Sequence, residues 1–270
     1  MRIWAVELPY REPFRTALGV SHVAENLVIE VETDFGPVGL GECAPLPRVT
    51  GETREAALKA LTAIGKKLIG ACPLRIEAIR ELTARLAPGC PAARAAIDMA
   101  LFDILGQVAR RPLYRVLGGY RDSVQTDITS LRGAEEMAED ALKAVEAGFR
   151  AIKLKVGTGV DEDVERVRAV REAVGPDVEL RVDANQAWSV QEAVRAVREL
   201  GRLDVAFVEQ PVPAGDLEGL AEVRRESPVP IMADEAVRSP SDALRAVEMG
   251  AVDLINIKLM KCGGISEALR

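Results

Sequence analysis

The stretch AIKLKVGTGVDEDVERVRAVREAVGPDVELRVD, residues 151–183, decides the fold. It contains a short apolar strand, a charged helix and a second apolar strand. Within the helical part, residues 161–174, Val164, Val167 and Val170 form one apolar stripe, and most other positions are charged. A strand, a crossover helix and a second strand make a right-handed βαβ unit, so this stretch predicts a parallel sheet.

The same alternation extends along the chain in both directions from this stretch. It fits either a doubly wound sheet or a (β/α)8 barrel. The doubly wound alternative normally carries a glycine-rich phosphate turn after an early strand, and the chain has no GxGxxG motif. We therefore favour a modified (β/α)8 (TIM-type) barrel over residues 123–270, truncated after its sixth strand. The predicted strands are residues 124–130, 151–156, 178–183, 205–209, 230–234 and 254–258.

Residues 1–122 follow a different pattern, which predicts a separate N-terminal α+β capping domain. Residues 26–32 and 38–42 alternate apolar and polar side chains around a glycine- and proline-containing turn, as two strands of a hairpin do. Three amphipathic stretches punctuated by glycine and proline follow them. The predicted helices are residues 52–69, 74–86 and 91–109.

Composition limits the class of protein. Of the 270 residues, 48% are hydrophobic and 29% are charged, a balance that buries a sizeable core and excludes an intrinsically disordered chain. No segment approaches the roughly 20 apolar residues of a membrane span, and residues 1–7 lack the apolar core of a secretory signal. The net charge of -7 disfavours nucleic-acid binding. We expect a cytoplasmic protein with a small-molecule partner and no nucleic-acid or membrane partner.

Cysteine and histidine usage narrows the chemistry. The four cysteines form no CxxC pair, which favours reduced, mostly buried thiols over a zinc or redox motif. His22 is the one histidine in the sequence, so a Ser-His or Cys-His mechanism has a single possible base. Lysine and carboxylate chemistry are the remaining candidates.

Five successive predicted strands end on an ionisable residue, at spacings of 24 to 28 residues. Each spacing corresponds to one βα unit, so the five side chains are expected at one level around the carboxyl end of the strands. Barrel enzymes carry their active sites at this end. The five residues are Lys155, Asp183, Glu209, Asp234 and Lys258.

Three carboxylates on adjacent strands repel one another unless a cation joins them. Mg²⁺ prefers oxygen ligands and leaves positions for water and substrate, so Asp183, Glu209 and Asp234 are candidate magnesium ligands. The strand period of two places Lys153 and Lys155 on the same face, inward. A buried pairing of these acids with lysines, or of Asp183 with the nearby Arg181, is the structural alternative.

A cation flanked by lysines suits the removal of a proton next to a carboxylate, because the enediolate that forms needs positive charge nearby. Lys153 is placed to support that charge. Neighbouring cations and partial burial lower a lysine pKa towards the range of a general base. Lys155 and Lys258 are then placed to remove and return a proton on opposite faces of one carbon, which is racemisation or epimerisation.

These residues resemble the enolase superfamily, and within it the muconate-lactonising subgroup. Residues 98–103 and 113–119 look like the family's capping-domain helix and its closing Leu-Gly-Gly. The motifs that carry the resemblance are Lys153-Leu154-Lys155, Asp183-Ala184-Asn185, Glu209-Gln210-Pro211, Ala233-Asp234-Glu235, and Ile257-Lys258 followed by Gly263-Gly264.

The resemblance implies one Mg²⁺ per active site held by Asp183, Glu209 and Asp234, acid/base roles for Lys155 and Lys258, and carboxylate stabilisation by Lys153. Residues 126–129 and 44–53 look most like those of dipeptide epimerases of the L-Ala-D/L-Glu type. Alternatives on the same scaffold are an N-acylamino-acid racemase, an o-succinylbenzoate synthase and a muconate cycloisomerase. An inactive, truncated metal-binding fragment is an alternative of another class.

The resemblance also suggests residues around the reacting groups, and we expect a homo-oligomer. The expected substrate contacts are Thr129, His22 and Arg48, and the expected supporting residues behind the ligands are Asn185, Asn256 and Glu235.

Overall fold

A computed structural model describes residues 1–16, 19–130 and 134–270 of the chain. Contacts within the chain divide it into two compact units, which we call the N-terminal unit and the parallel-sheet unit. The N-terminal unit contains Met1–Pro13, His22–Ser123 and Ile257–Arg270, and the parallel-sheet unit contains Phe14–Ser21 and Val124–Asn256.

A three-stranded sheet opens the chain, in the order β1 (Arg2–Thr16), β2 (Gly19–Glu32) and β3 (Val38–Cys43). Strands β2 and β3 pair antiparallel from Leu27↔Cys43 to Glu32↔Val38, which confirms the predicted hairpin. Leu27 and Ile29 are fully buried, as the alternation requires.

The three helices predicted in the first half of the chain are confirmed. Helix α2 (Arg54–Leu68) begins where the side chain of Thr53 accepts a hydrogen bond from the Ala56 N–H, and α4 (Pro91–Ala109) has Pro91 in its first turn. The helices of this region are α1 (Pro47–Thr50), α2 (Arg54–Leu68), α3 (Ile76–Leu86), α4 (Pro91–Ala109) and α5 (Leu113–Val116).

Helix α4 packs directly on strand β3, and two glycines permit the close approach. A Cβ atom at Gly39 would lie 2.1 Å from the carbonyl oxygen of Ala100, and one at Gly41 would lie 2.0 Å from that of Ala96. The face of α4 is alanine-rich, so the helix backbone itself fills the space above the strand.

The parallel-sheet unit alternates strands and helices. Its six strands are neighbours in chain order, from β4 to β9, and each pairs parallel with the next. The elements are β4 (Ile128–Ser130), α6 (Ala134–Glu146), β5 (Ala151–Lys155), α7 (Val160–Val174), β6 (Glu179–Asp183), α8 (Val190–Gly201), β7 (Val205–Glu209), α9 (Leu217–Glu226), β8 (Ile231–Ala233), α10 (Pro240–Glu248) and β9 (Leu254–Ile255).

The core of this unit lies between the sheet and the helices. Ile152 and Leu154 on β5 are fully buried, and Val167 and Val170 on α7 are fully buried with them. Burying each such aliphatic side chain contributes about 1.5–3 kcal/mol of transfer free energy. The valine stripe that predicted the crossover helix therefore faces the sheet.

Strand β9 is shorter than predicted. It ends at Ile255, after which the Asn256 N–H donates to the Ala233 carbonyl. The Lys258 carbonyl accepts from the Lys261 N–H at 2.9 Å, so the chain turns into helix α11 (Leu259–Cys262) instead of extending the strand. A last short helix, α12 (Ile265–Leu269), follows.

The four cysteines differ in their exposure to solvent. Cys43 is buried, but Cys72 is exposed and Cys90 and Cys262 are partly exposed, so the prediction of mostly buried thiols was wrong. Cys72 and Cys90 lie in loops, and Cys262 is the last residue of helix α11.

No helix within the described ranges is both long and apolar enough to cross a bilayer.

We expect Gly41→Ala to lower the free energy of unfolding by about 3 kcal/mol, because the new methyl group collides with the Ala96 carbonyl of α4. Gly89→Ala is the matched control, since no atom lies within 4 Å of a Cβ there. Urea unfolding followed by circular dichroism measures both. Equal stability of the two variants would contradict the proposed packing of α4 on β3.

Candidate functional site

Strand β5 places two lysines on the face opposite its buried aliphatic side chains. Ile152 and Leu154 are fully buried in the core, whereas the intervening Lys153 and Lys155 form ion pairs with carboxylates. This alternation is what the strand period of two predicts. The side chains of Lys153 and Lys155 are 14% and 12% exposed, so both ammonium groups are largely removed from water.

The strand register aligns three of the predicted residues. Lys155 pairs with Asp183, and Asp183 pairs with Glu209. Glu209 in turn pairs with Met232, and β8 ends at Ala233, so Asp234 follows its strand directly. The expected single level therefore holds for three residues and not for Asp234, which lies two residues beyond the partner of Glu209.

The ammonium group of Lys153 lies between two buried carboxylates. Its Nζ is 2.7 Å from Oδ2 of Asp183 and 2.6 Å from Oε2 of Glu209. Burial opposes the charged form of Lys153, but the two carboxylates outweigh it and raise the pKa of the lysine above its ordinary value. Lys153 is therefore a fixed positive charge at the carboxyl end of the strands.

The two carboxylates beside Lys153 respond differently to this environment. Burial alone would raise the pKa of Asp183, but the charges of Lys155 and Lys153 lower it below the ordinary value. Burial and the negative charge of Asp183 raise the pKa of Glu209, against the opposing effect of Lys153.

Lys155 is held by two acceptors. Its Nζ donates to Oδ2 of Asp183 at 2.6 Å and to Oδ1 of Asn185 at 2.7 Å. Asn185 extends this hydrogen-bond network to Glu235, because its Nδ2 donates to Oε1 of Glu235 at 3.1 Å. The Asn185 N–H also donates to Oδ1 of Asp183 at 2.9 Å. These contacts fix the direction in which the Lys155 amine points.

Two other predicted supporting residues lie in the same unit. Asn256 donates from Nδ2 to Oε1 of Glu209 at 2.8 Å. Glu235 accepts from Asn185 and is 2% exposed. Hydrogen bonds of this kind orient carboxylates that hold a metal ion.

Gln210 is a supporting residue that the sequence did not identify. It is fully buried, and its Oε1 accepts from the backbone N–H groups of Asp234 and Ala236 at 2.9 and 3.0 Å. Its backbone adopts a positive φ of 39°, which is uncommon for a residue with a side chain. The signal in the sequence was a glutamine directly after a strand-end carboxylate.

Arg181 does not take the role that the structural alternative assigned to it. Its guanidinium pairs with Asp127 at 2.8 Å and with Glu179 at 2.6 Å, and it stacks over the ring of Phe207. Asp183 is paired with the two lysines instead.

The remaining predicted site residues lie on four different elements of the two units. Thr129 is on β4, directly paired with Lys153 in the strand register. His22 and Arg48 are exposed residues of the N-terminal unit, on β2 and α1. Lys258 also belongs to the N-terminal unit, at the start of α11. The approach of these three residues to the carboxylates stays a prediction.

The donor set suits a divalent cation in chemistry. The carboxylates of Asp183 and Glu209 end adjacent strands, those of Asp234 and Glu235 follow the next strand, and all four residues are buried. Carboxylate oxygens are the ligands that Mg²⁺ prefers.

The arrangement of the carboxylates differs from the predicted ligand cluster. Among the described side chains, no group of three or more acids, histidines or cysteines lies in a metal-binding arrangement. Two of the predicted ligands, Asp183 and Glu209, instead face the ammonium group of Lys153, at 2.7 and 2.6 Å.

Comparisons with known proteins cover nearly the whole chain. A protein-family model for the mandelate racemase / muconate lactonizing enzyme N-terminal domain matches residues 1–118. A second family model, for an enolase C-terminal domain-like domain, matches residues 136–270.

Three curated relatives align along the chain. A hydrophobic dipeptide epimerase of Enterococcus faecalis is 46% identical over 273 residues, which cover 100% of this chain and 77% of the relative. An L-Ala-D/L-Glu epimerase of Clostridium acetobutylicum is 43% identical over 98% of this chain and 75% of its own length. An N-succinyl-L-Arg/Lys racemase of Bacillus cereus is 38% identical over 100% of this chain and 74% of its own length.

A solved structure gives the same result. The dipeptide epimerase of Enterococcus faecalis, complexed with Mg and the dipeptide L-Leu-L-Tyr, superposes with a TM-score of 0.98 at 46% identity. The match covers 99% of this chain and 76% of that chain.

We expect Lys153→Met to lower the free energy of unfolding by about 3–5 kcal/mol in metal-free buffer, because it leaves two buried carboxylates facing each other. Lys143→Met is the control, since Lys143 forms an exposed pair with Glu139, worth at most about 0.5 kcal/mol. Denaturant titration with a chelator present measures both. A Lys153 variant as stable as the control would show that the bridge carries no charge compensation.

Proposed function

This chain belongs to the mandelate racemase / muconate lactonizing enzyme family, and we propose from that membership and from the site that it is a Mg²⁺-dependent dipeptide epimerase. The reaction inverts the α-carbon of the C-terminal residue of the dipeptide by a 1,1-proton transfer between two lysines. The observation that carries the proposal is the placement of Lys155 and Lys153 against buried carboxylates at the carboxyl end of β5 and β6.

Proton removal begins at Lys155. In its neutral form, its amine takes the α-proton, and the electrons of the C–H bond move into the substrate carboxylate to give an enediolate. Lys155 is held at hydrogen-bonding distance by Asp183 and Asn185, so its amine is oriented before substrate arrives. Such fixed orientation replaces part of the entropic cost of the reaction.

Stabilisation of the enediolate needs a permanent positive charge. Lys153 supplies one, because the neighbouring carboxylates keep its pKa raised and the lysine protonated. An ammonium group that is already ordered by Asp183 and Glu209 needs no reorganisation when charge develops on the substrate.

Lys258 is proposed as the second acid/base group. Protonated Lys258 returns a proton to the opposite face of the α-carbon, and the reverse direction exchanges the roles of the two lysines. Its place in the sequence supports this role, since it ends the last predicted strand of the ring.

Asp183, Glu209 and Asp234 are the proposed magnesium ligands. When bound, Mg²⁺ supplies positive charge to the substrate carboxylate. Asn256 and Asn185 hold these carboxylates by hydrogen bonds to Glu209 and Asp183. The relative from Enterococcus faecalis was solved with Mg and a dipeptide, which supports the same ion here.

The acyl part of the substrate is proposed to contact Thr129, His22 and Arg48. Relatives of this chain include epimerases of hydrophobic dipeptides and of L-Ala-D/L-Glu. The similarity to an N-succinyl-L-Arg/Lys racemase supports a second candidate, an N-acylamino-acid racemase. Both reactions remove the same kind of proton and differ only in the group on the nitrogen.

We assign the six parallel strands to a modified (β/α)8 barrel, and the N-terminal unit to a separate α+β domain. The unbroken β4-to-β9 order and one crossover helix per strand pair support this assignment. The domain boundary at residues 122 and 123, the homo-oligomer and the cytoplasmic location stay predictions.

We expect Lys258→Ala to abolish solvent deuterium uptake from one epimer of L-Ala-Glu and to leave uptake from the other within about a factor of ten, because each lysine serves one face of the α-carbon. Lys155→Ala is the matched variant with the opposite preference. Proton NMR in deuterium oxide, on both epimers, measures the two rates.

Equal loss from both epimers in both variants would contradict the two-lysine mechanism. Uptake from N-acylamino acids without uptake from any dipeptide would favour the racemase. Magnesium binding with no α-proton exchange in either substrate class would favour the inactive metal-binding fragment.

We expect Asp183→Asn to weaken Mg²⁺ binding by more than about 100-fold, because replacing a direct ligand costs at least as much as losing a residue behind it. Asp127→Asn is the control, since that carboxylate pairs with Arg181. Isothermal titration with MgCl₂ measures the affinity. Unchanged affinity in Asp183→Asn would remove this residue from the ligand set.

A further inference from the structure

The segment that carries Lys258 is anchored within the N-terminal unit. The chain leaves the parallel-sheet unit after Asn256, and residues 257–270 pack with the helices of the N-terminal unit. Lys258 begins the single turn of α11, and its carbonyl accepts from the N–H groups of Lys261 and Cys262 at 2.9 and 3.2 Å. Whatever fixes α11 therefore fixes the backbone of Lys258.

Two glycines end this turn and bring the chain against helix α4. Gly263 and Gly264 have φ values of 103° and 122°, in the region that favours glycine. A Cβ atom at Gly263 would lie 3.2 Å from the guanidinium carbon of Arg94, and one at Gly264 would lie 2.5 Å from Oδ2 of Asp98. Both glycines are buried, so the segment lies directly on the α4 side chains.

Asp98 forms the polar contact between α4 and this segment. Its Oδ2 accepts from the Ser266 N–H at 2.9 Å, and its Oδ1 accepts from the Ser266 hydroxyl at 2.6 Å. The residue is 4% exposed, and burial raises its pKa although the two Ser266 bonds work in the opposite direction. A buried carboxylate in the middle of a helix costs stability, and an apolar residue would pack there without that cost.

A second contact holds the far end of the segment. Arg80 on α3 donates from Nη1 to Oε1 of Glu267 at 2.8 Å, and both side chains are mostly buried. Met260 on α11 packs against the buried core of the N-terminal unit. The turn that starts at Lys258 is thus attached on both sides of its two glycines.

We infer that Asp98 is a positioning residue for Lys258: by binding Ser266 and seating Gly264 on α4, it sets where the Lys258 amine lies. The inference rests on the proposed function, in which Lys258 serves one face of the α-carbon. Asp98 touches no substrate in this scheme, and its effect passes through the backbone of residues 258–266.

The experiment compares Asp98→Ala with Asp103→Ala. Asp103 lies on the same helix and accepts a hydrogen bond from the Leu40 N–H at 2.9 Å, so it controls for the loss of a carboxylate from α4. Both variants are assayed for deuterium uptake from the two epimers of L-Ala-Glu. A displacement of about 1 Å in a reacting group can cost about 100-fold in rate.

Asp98→Ala is expected to slow uptake from the epimer that depends on Lys258 by at least about tenfold, with KM unchanged, and to leave the epimer that depends on Lys155 within about twofold. Asp103→Ala is expected to show no preference between epimers. Equal slowing of both epimers by Asp98→Ala would overturn the inference, because general damage to the fold affects both lysines.

Milder variants keep the test valid where Asp98→Ala folds poorly. Ser266→Ala removes only the hydroxyl bond and is expected to slow deuterium uptake from the same epimer, but by a smaller factor. Ser266→Thr keeps the hydroxyl and is expected to behave as the unsubstituted chain. Hydrogen–deuterium exchange followed by mass spectrometry is expected to show faster uptake in residues 257–268 for Ser266→Ala than for Ser266→Thr. Identical uptake in these variants would also overturn the inference.

Failure of the inference is distinguishable from failure of the proposed function. If the unsubstituted chain exchanges neither epimer, the proposed function fails, and the role of Asp98 fails with it. If the unsubstituted chain exchanges both and Lys258→Ala shows its preference while Asp98→Ala shows none, only the role of Asp98 fails.

Discussion

The ammonium group of Lys153, held between Asp183 and Glu209, is the interaction on which the site depends. Two carboxylates buried at adjacent strand ends repel each other, and water cannot screen them there. The lysine removes this repulsion at 2.6 to 2.7 Å and stays protonated as a result. In the proposed mechanism, the same charge that stabilises the buried acids also stabilises the substrate carboxylate.

Strand parity links this charge cluster to the core. On β5, successive side chains alternate between the two faces of the sheet. Ile152 and Leu154 face the helices and form part of the hydrophobic core, while Lys153 and Lys155 form ion pairs with buried carboxylates. The register then places Asp183 beside Lys155. A shift of one residue would exchange the two sets, which makes the buried layer a constraint on the chemistry.

Helix α4 holds the N-terminal unit together by close packing and by polar contacts. Helix α4 lies directly on β3 because Gly41 has no side chain. On the same helix, Asp98 accepts a hydrogen bond from the Ser266 hydroxyl and so holds the segment around Ser266. Asp98 is therefore at once a cost in stability and an anchor. Such a residue is better explained by the position of Lys258 than by packing alone.

The sequence by itself determined the strand and helix alternation, the inward lysines of β5 and the acid-rich strand ends, because side-chain periodicity and βα spacing are local properties. It did not determine that Arg181 pairs with Asp127, that Gln210 holds the Asp234 backbone, or that Lys258 lies beyond its strand. Only the tertiary structure decided these, since each depends on which distant groups share one buried volume and on how adjacent strands are staggered.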